Sequence, residues 1–135
     1  MSTSKILLPH TNDQANAVGD PVQADGWYGF SDGLHTVSIH TSNFTGRVKI
    51  QASLALEPQE GDWFDIWLRE GTPHLEFPID PTYPTGHLQG DTSNLALTFK
   101  ANILWVRAVM DRTYLSVQEP YDGSYGVISK IVLSV

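Results

Sequence analysis

The chain has 135 residues, no cysteine and a formal charge of −7, from 15 acidic and 8 basic residues. That length can bury one core, and 41% hydrophobic content with four Trp, five Tyr and five Phe is too apolar for disorder throughout. The basic residues are scattered singly, so nothing clusters to displace counterions from a nucleic acid or to hold an anionic membrane, and disulfides and thiolate metal sites are excluded.

Residues 2–24 are polar and broken by Pro9, Gly19 and Pro21, and they read as an N-terminal arm preceding a domain at 25–135. Within the arm, Lys5-Ile-Leu-Leu is able to form one short strand. Two placements stay open: an edge strand of its own domain, or an arm laid along a neighbouring copy. The apolar run at 6–8 is far too short for a signal-peptide core, and no stretch reaches membrane-span length. Synthesis in a cytoplasm, without membrane insertion, is the corresponding expectation.

From Gly26 the pattern becomes periodic. Gly26-Trp-Tyr-Gly-Phe leads to a Ser31-Asp-Gly turn, and residues 34–40 then alternate, with Val37 and Ile39 facing one way. Asn43-Phe-Thr-Gly is turn chemistry. Arg47-Val-Lys-Ile-Gln-Ala-Ser-Leu follows as the clearest strand. Val48, Ile50, Ala52 and Leu54 are expected on its buried face, with Arg47, Lys49, Gln51 and Ser53 on the other.

After the breakers Glu57-Pro-Gln-Glu-Gly, residues 62–68 read as a strand through Trp63 and Trp67. Prolines at 73, 78, 81 and 84 make the next region the least regular, since each removes a ladder donor. Leu95, Leu97 and Phe99 alternate again. Residues 103–110 are apolar on both faces near Trp105, which predicts a strand inside a sheet. A turn at 123–126 and a last strand at 127–135 close the chain. The sum is all-β: an antiparallel β-sandwich, jelly-roll-like, of about seven or eight strands.

Catalytic and metal-binding patterns are not found. The histidines are His10, His35, His40, His74 and His87. None forms a short-spaced ligand pair, and His35 and His40, five apart on a strand, point to opposite faces. All five are expected at the surface or in turns. Asp62 and Asp65 likewise fall on opposite faces of their predicted strand. Asp80, Asp91, Asp111 and Asp122 fall at turns, where Asp bonds local amides. There is no nucleophile elbow, phosphate loop or dinucleotide fingerprint. The expectation is a protein that is not an enzyme and carries no cofactor or metal. Arg107, the one charge in the most apolar strand, is expected to pair with Asp62 or Asp65. The remaining candidates are aromatics in Gly/Pro-rich loops, Trp27, Tyr28, Tyr83, Tyr121 and Tyr125. They are suited either to covering the ends of their own sandwich or to meeting a sugar or a partner's pocket.

Three stretches together carry a resemblance: Asn43-Phe-Thr-Gly-Arg-Val-Lys-Ile-Gln-Ala-Ser-Leu; Pro58 with Asp62-Trp-Phe-Asp-Ile; and Trp105-Val-Arg-Ala with Ile128-Ser-Lys-Ile-Val-Leu-Ser. The series resembles small structural proteins of large tailed phages of marine bacteria and cyanobacteria. It is also similar to a galactose-binding-like jelly roll. The resemblance covers residues 27–135 and rests on strand patterns with a few aromatics. It implies a virion component of the capsid, neck or tail that assembles with itself and with other virion proteins. The jelly-roll likeness implies the second reading, a glycan-binding module for host attachment. Neither transfers a set of binding residues.

Overall fold

The computed structural model describes residues 4–11, 14–24, 26, 33–67, 73–77, 91–115 and 125–134, with the backbone alone at 91–93. Ten strands occupy them: β1 Ser4–Leu8, β2 Ala17–Val18, β3 Val22–Gln23, β4 Leu34–Phe44, β5 Gly46–Ser53, β6 Phe64–Ile66, β7 Leu75–Phe77, β8 Asp91–Lys100, β9 Trp105–Asp111 and β10 Val127–Ser134. A 3-10 turn, Glu60–Asp62, lies between β5 and β6. All pairings are antiparallel, and two sheets pack face to face as a sandwich. The strands beyond the seven or eight expected are pieces of two or three residues, too short to show a period.

The first sheet runs β1-β10-β4-β8. In the second, β9 and β5 form the centre; β2 and β3 line the outer edge of β9, and β6 and β7 that of β5. The double-sided apolar pattern of residues 103–110 is thus explained by a strand paired on both edges. Alternation positions the core. Val37 and Ile39 of β4, Val48, Ile50 and Ala52 of β5, Val106, Ala108 and Met110 of β9, and Ile131 and Leu133 of β10 are all fully buried. Each Val, Ile, Leu or Met among them contributes about 1.5–3 kcal/mol on transfer from water, and each Ala less.

The described residues 4–11 and 14–24 are stitched into both sheets through β1, β2 and β3, which is the local-pairing alternative. Leu7, Leu8, Ala15, Ala17 and Ala24 are core residues. Ser4 to Ile6 pair with Ser134 to Val132, and β2 and β3 pair with β9. Lys5 Nζ reaches across to the Gln23 carbonyl at 2.9 Å, tying the β1 edge to the β3 edge. Gly19 is required there because any Cβ would run into the Leu7 carbonyl. The polar composition of the segment is satisfied by backbone bonds rather than by solvent alone: Thr11 N–H donates to Ile128 O at 3.0 Å and Gly19 N–H to Ala108 O at 2.8 Å.

Three local expectations are corrected. Leu54, predicted on the buried face, is 62% exposed because β5 ends at Ser53 and the chain turns away. Ser53, predicted outward, is buried, its hydroxyl accepting from the Ala55 N–H at 3.1 Å. His35 is fully buried rather than at the surface. Its ring stacks on Phe99 at 5.0 Å, and Nδ1 lies 2.8 Å from the Gly33 carbonyl, so an inward position on β4 is filled by a partnered imidazole.

Candidate interaction surface

The corner where β4 passes into β5 moves the chain from one sheet to the other. Asn43 adopts φ 53, and Thr45 N–H donates to the Tyr125 carbonyl at 2.9 Å. Arg112, immediately after β9, locks this corner from inside. It is 1% exposed. Its Nε donates to Thr45 O at 2.9 Å, Nη1 to Gln14 O at 3.2 Å, and Nη2 to Tyr125 O and Gly126 O at 3.2 and 2.8 Å. The guanidinium also lies over the Phe44 ring at 4.9 Å. Four carbonyls from three segments make this a structural clamp.

The outward face of the β9–β5 sheet carries an ordered row of polar groups. Register sets it, because Gln51 stands opposite Arg107 on one side and Asp65 on the other. Arg107 Nε donates to Gln51 Oε1 at 2.8 Å, and Gln51 Nε2 donates to Asp65 Oδ1 at 3.1 Å. Arg107 stacks on Trp63 at 4.3 Å, and its Nη2 is 3.6 Å from Glu60 Oε1. The expected pairing with Asp62 or Asp65 is therefore corrected. The ionic partner is Glu60, and Asp65 joins only through Gln51. Asp62 is not on a strand; it closes the 3-10 turn by accepting the Gln59 N–H at 2.7 Å.

Further along the same face, Arg47 pairs with Glu76 at 2.9 Å and lies over the Tyr114 ring at 4.0 Å. Burial, and then the Glu76 carboxylate, push the Tyr114 hydroxyl up, against the Arg47 and Arg112 cations. Lys49 Nζ lies 3.6 Å from Asp111 Oδ2. Burial works to raise the Asp111 carboxyl, but bonds from the Thr113 hydroxyl and N–H, with the Lys49 charge, outweigh it and hold its pKa below the usual value.

Beside the polar row, residues 54–67 expose apolar side chains at one edge of the sheet. Leu54, Leu56, Phe64 and Trp67 are 62%, 71%, 43% and 62% exposed. The segment is not loose: the Trp105 indole N–H donates to the Leu56 carbonyl at 3.2 Å, and Phe64 pairs across from Ala52. The segment therefore holds four large apolar side chains in exposed positions, with Phe64 across from the buried Ala52.

Of the aromatics that the sequence singles out, Trp27, Tyr28, Tyr83 and Tyr121 lie outside the described residues. Tyr125 is half-buried, and its carbonyl serves the Arg112 clamp. Asp91, expected in a turn, begins β8. Asp80, Asp122 and His87 also lie outside the described residues. Among the described residues no three His, Asp or Glu side chains group as metal ligands. His40 is held by Ser38 and Asn94, at 3.0 and 2.8 Å. The surface residues that sequence reasoning missed are Leu54, Leu56, Phe64 and Trp67. Their signal was present, as two Leu and two aromatics flanking the breakers at 57–61, but apolar character alone reads as core.

The fold is an all-β sandwich of two antiparallel sheets, with exposed apolar side chains along residues 54–67. No family model, curated protein or solved structure matches the chain.

Proposed function

We propose that this chain is a non-enzymatic structural component of a phage particle, in the capsid, neck or tail, acting through protein–protein assembly. The observation that carries the assembly reading is the exposed apolar set Leu54, Leu56, Phe64 and Trp67 on a held segment. The virion reading is supported by the resemblance of residues 43–54, 58–66, 105–108 and 128–134. The docked partner is a neighbouring virion protein, and the polar row around Arg107 forms the rim that orients it. Antibodies against the chain, applied to virus particles purified from the source culture, test the virion reading. Labelling at regular positions is expected; a chain found only in the infected-cell lysate contradicts it.

A second reading is favoured by one specific arrangement. Trp67 is exposed beside the fixed Asp65–Gln51–Arg107 row, and an aromatic face next to ordered donors and acceptors suits a sugar ring. Glycan attachment then requires binding that Trp67→Ala abolishes. A flat response across a broad glycan panel, with the protein folded, sinks it.

A further inference from the structure

We infer that the outer edge of β8 is a self-pairing edge, joining two copies of this chain into one continuous sheet. The inference is independent of the virion reading. It begins with an asymmetry between the two sides of the sandwich. On one side the Lys5–Gln23 bond and the Gly19–Leu7 approach close β1 against β2 and β3. On the other side, among the described residues, the first sheet ends in β8 and the second in the short strands β6 and β7. Leu95, Leu97 and Phe99 pack on the core from β8, yet each is only half-buried.

Among the described residues β8 pairs with β4 alone. It is ten residues long, about 33 Å of strand. Monomeric proteins protect such edges with proline, charges, a bulge, a very short strand or a covering helix or loop, and among the described residues no further segment pairs with β8. Residues 91–100 contain no proline, their inward positions 95, 97 and 99 are apolar, and the only basic residue is Lys100 at the end. The register shift that β8 shows against β4 lies at its start, beyond Thr41, and leaves positions 93–100 regular.

The occupant is a second copy because the edge is complementary to itself. A two-fold axis through Leu97 sets Leu97 beside the partner's Leu97 and Leu95 beside the partner's Phe99. Ala96 then meets the partner's Thr98, and Asn94 meets the partner's Lys100. Moving the axis to Ala96 gives Leu95 beside the partner's Leu97 and Asn94 beside the partner's Thr98. Both registers keep inward residues inward, as the period of two demands, and neither opposes like charges. This is uncommon in a chain of net charge −7, where most surfaces would bring acid against acid. The ladder supplies the affinity, and the half-buried Leu95, Leu97 and Phe99 gain cover from their counterparts.

Light scattering after size exclusion of the full chain tests this across the micromolar range. The wild type is expected at twice the 14.9 kDa chain mass. Ala96→Glu/Thr98→Glu sets carboxylates opposite one another in either register. Both residues are exposed on the outward face, so the folded monomer persists, checked by circular dichroism. The mass should halve. Mixing with an Ala96→Lys/Thr98→Lys chain should restore the double mass as a mixed dimer. A wild type that stays single throughout that range, a Glu variant that keeps the double mass, or folded variants of opposite charge that do not combine would each overturn the assignment.

Discussion

Arg112 donates to the Gly126 carbonyl at 2.8 Å, joining the end of β9 in one sheet to the start of β10 in the other. The same guanidinium holds Thr45 at the corner between β4 and β5, so one side chain fastens every described crossing at this end of the sandwich. Replacing it by Met keeps much of the volume but takes the donors away from carbonyls that are shut off from water. Arg112→Met should destabilise the fold by about 3 kcal/mol or more. A shift of the urea midpoint with unchanged slope is the expected reading, and a change under half that size would contradict the clamp.

Gly126 has φ +70, and a Cβ there would strike the Asn43 carbonyl. Backbone conformation and crowding therefore oppose any side chain. Gly126→Ala should cost at least about 2 kcal/mol in denaturant unfolding. Gly61→Ala serves as control, since nothing approaches within 4 Å of its added methyl.

The Asp111 carboxyl titrates below its ordinary value in the fold, so its bonds to Thr113 and its attraction to Lys49 stabilise the ionised form. That contribution is fully present above the unfolded-state pKa and is lost as pH falls through the lower folded value. Wild type should exceed Asp111→Asn in stability at neutral pH, with the gap closing in acid. Denaturation midpoints of both proteins measured down the acid range check the sign. A gap that widens in acid would reverse the assignment.

The stack of His35 on Phe99 ties the β8 edge to the core. His35→Ala removes a fully buried ring and its contact with the Gly33 carbonyl, and should cost about 2 kcal/mol or more. Hydrogen exchange should show the loss first in β8, which pairs with β4 alone among the described residues. Uniform loss across both sheets would separate His35 from the edge.

The long strands were legible because their periods are. Residues 47–53 alternate without interruption, and residues 103–110 show the double-sided apolarity of a paired interior strand. β2 and β3 were not, since two residues carry no period and their pairing with β9 is decided by tertiary contact. His35 escaped because composition ranks imidazole as a surface group, whereas here a ring stack and a carbonyl satisfy it inside. Arg107 was recognised as paired, but its partner depended on Gln51 standing between it and Asp65, a matter of register. The exposed edge at 54–67 was hidden for the opposite reason: Leu54 continues the alternation of β5 by one residue after the strand itself has ended.

The proposed assembly role rests on the apolar side chains of that edge, and incorporation into particles tests it most directly. Wild type and Leu56→Asp/Trp67→Asp chains, supplied in trans during particle assembly, are compared in purified virions. Both side chains are exposed, so each substitution should change stability by no more than about 0.5 kcal/mol. The account predicts wild-type chain in the particles and the folded variant left in the soluble fraction. Equal incorporation of the variant, or wild type absent from the particles, would contradict it.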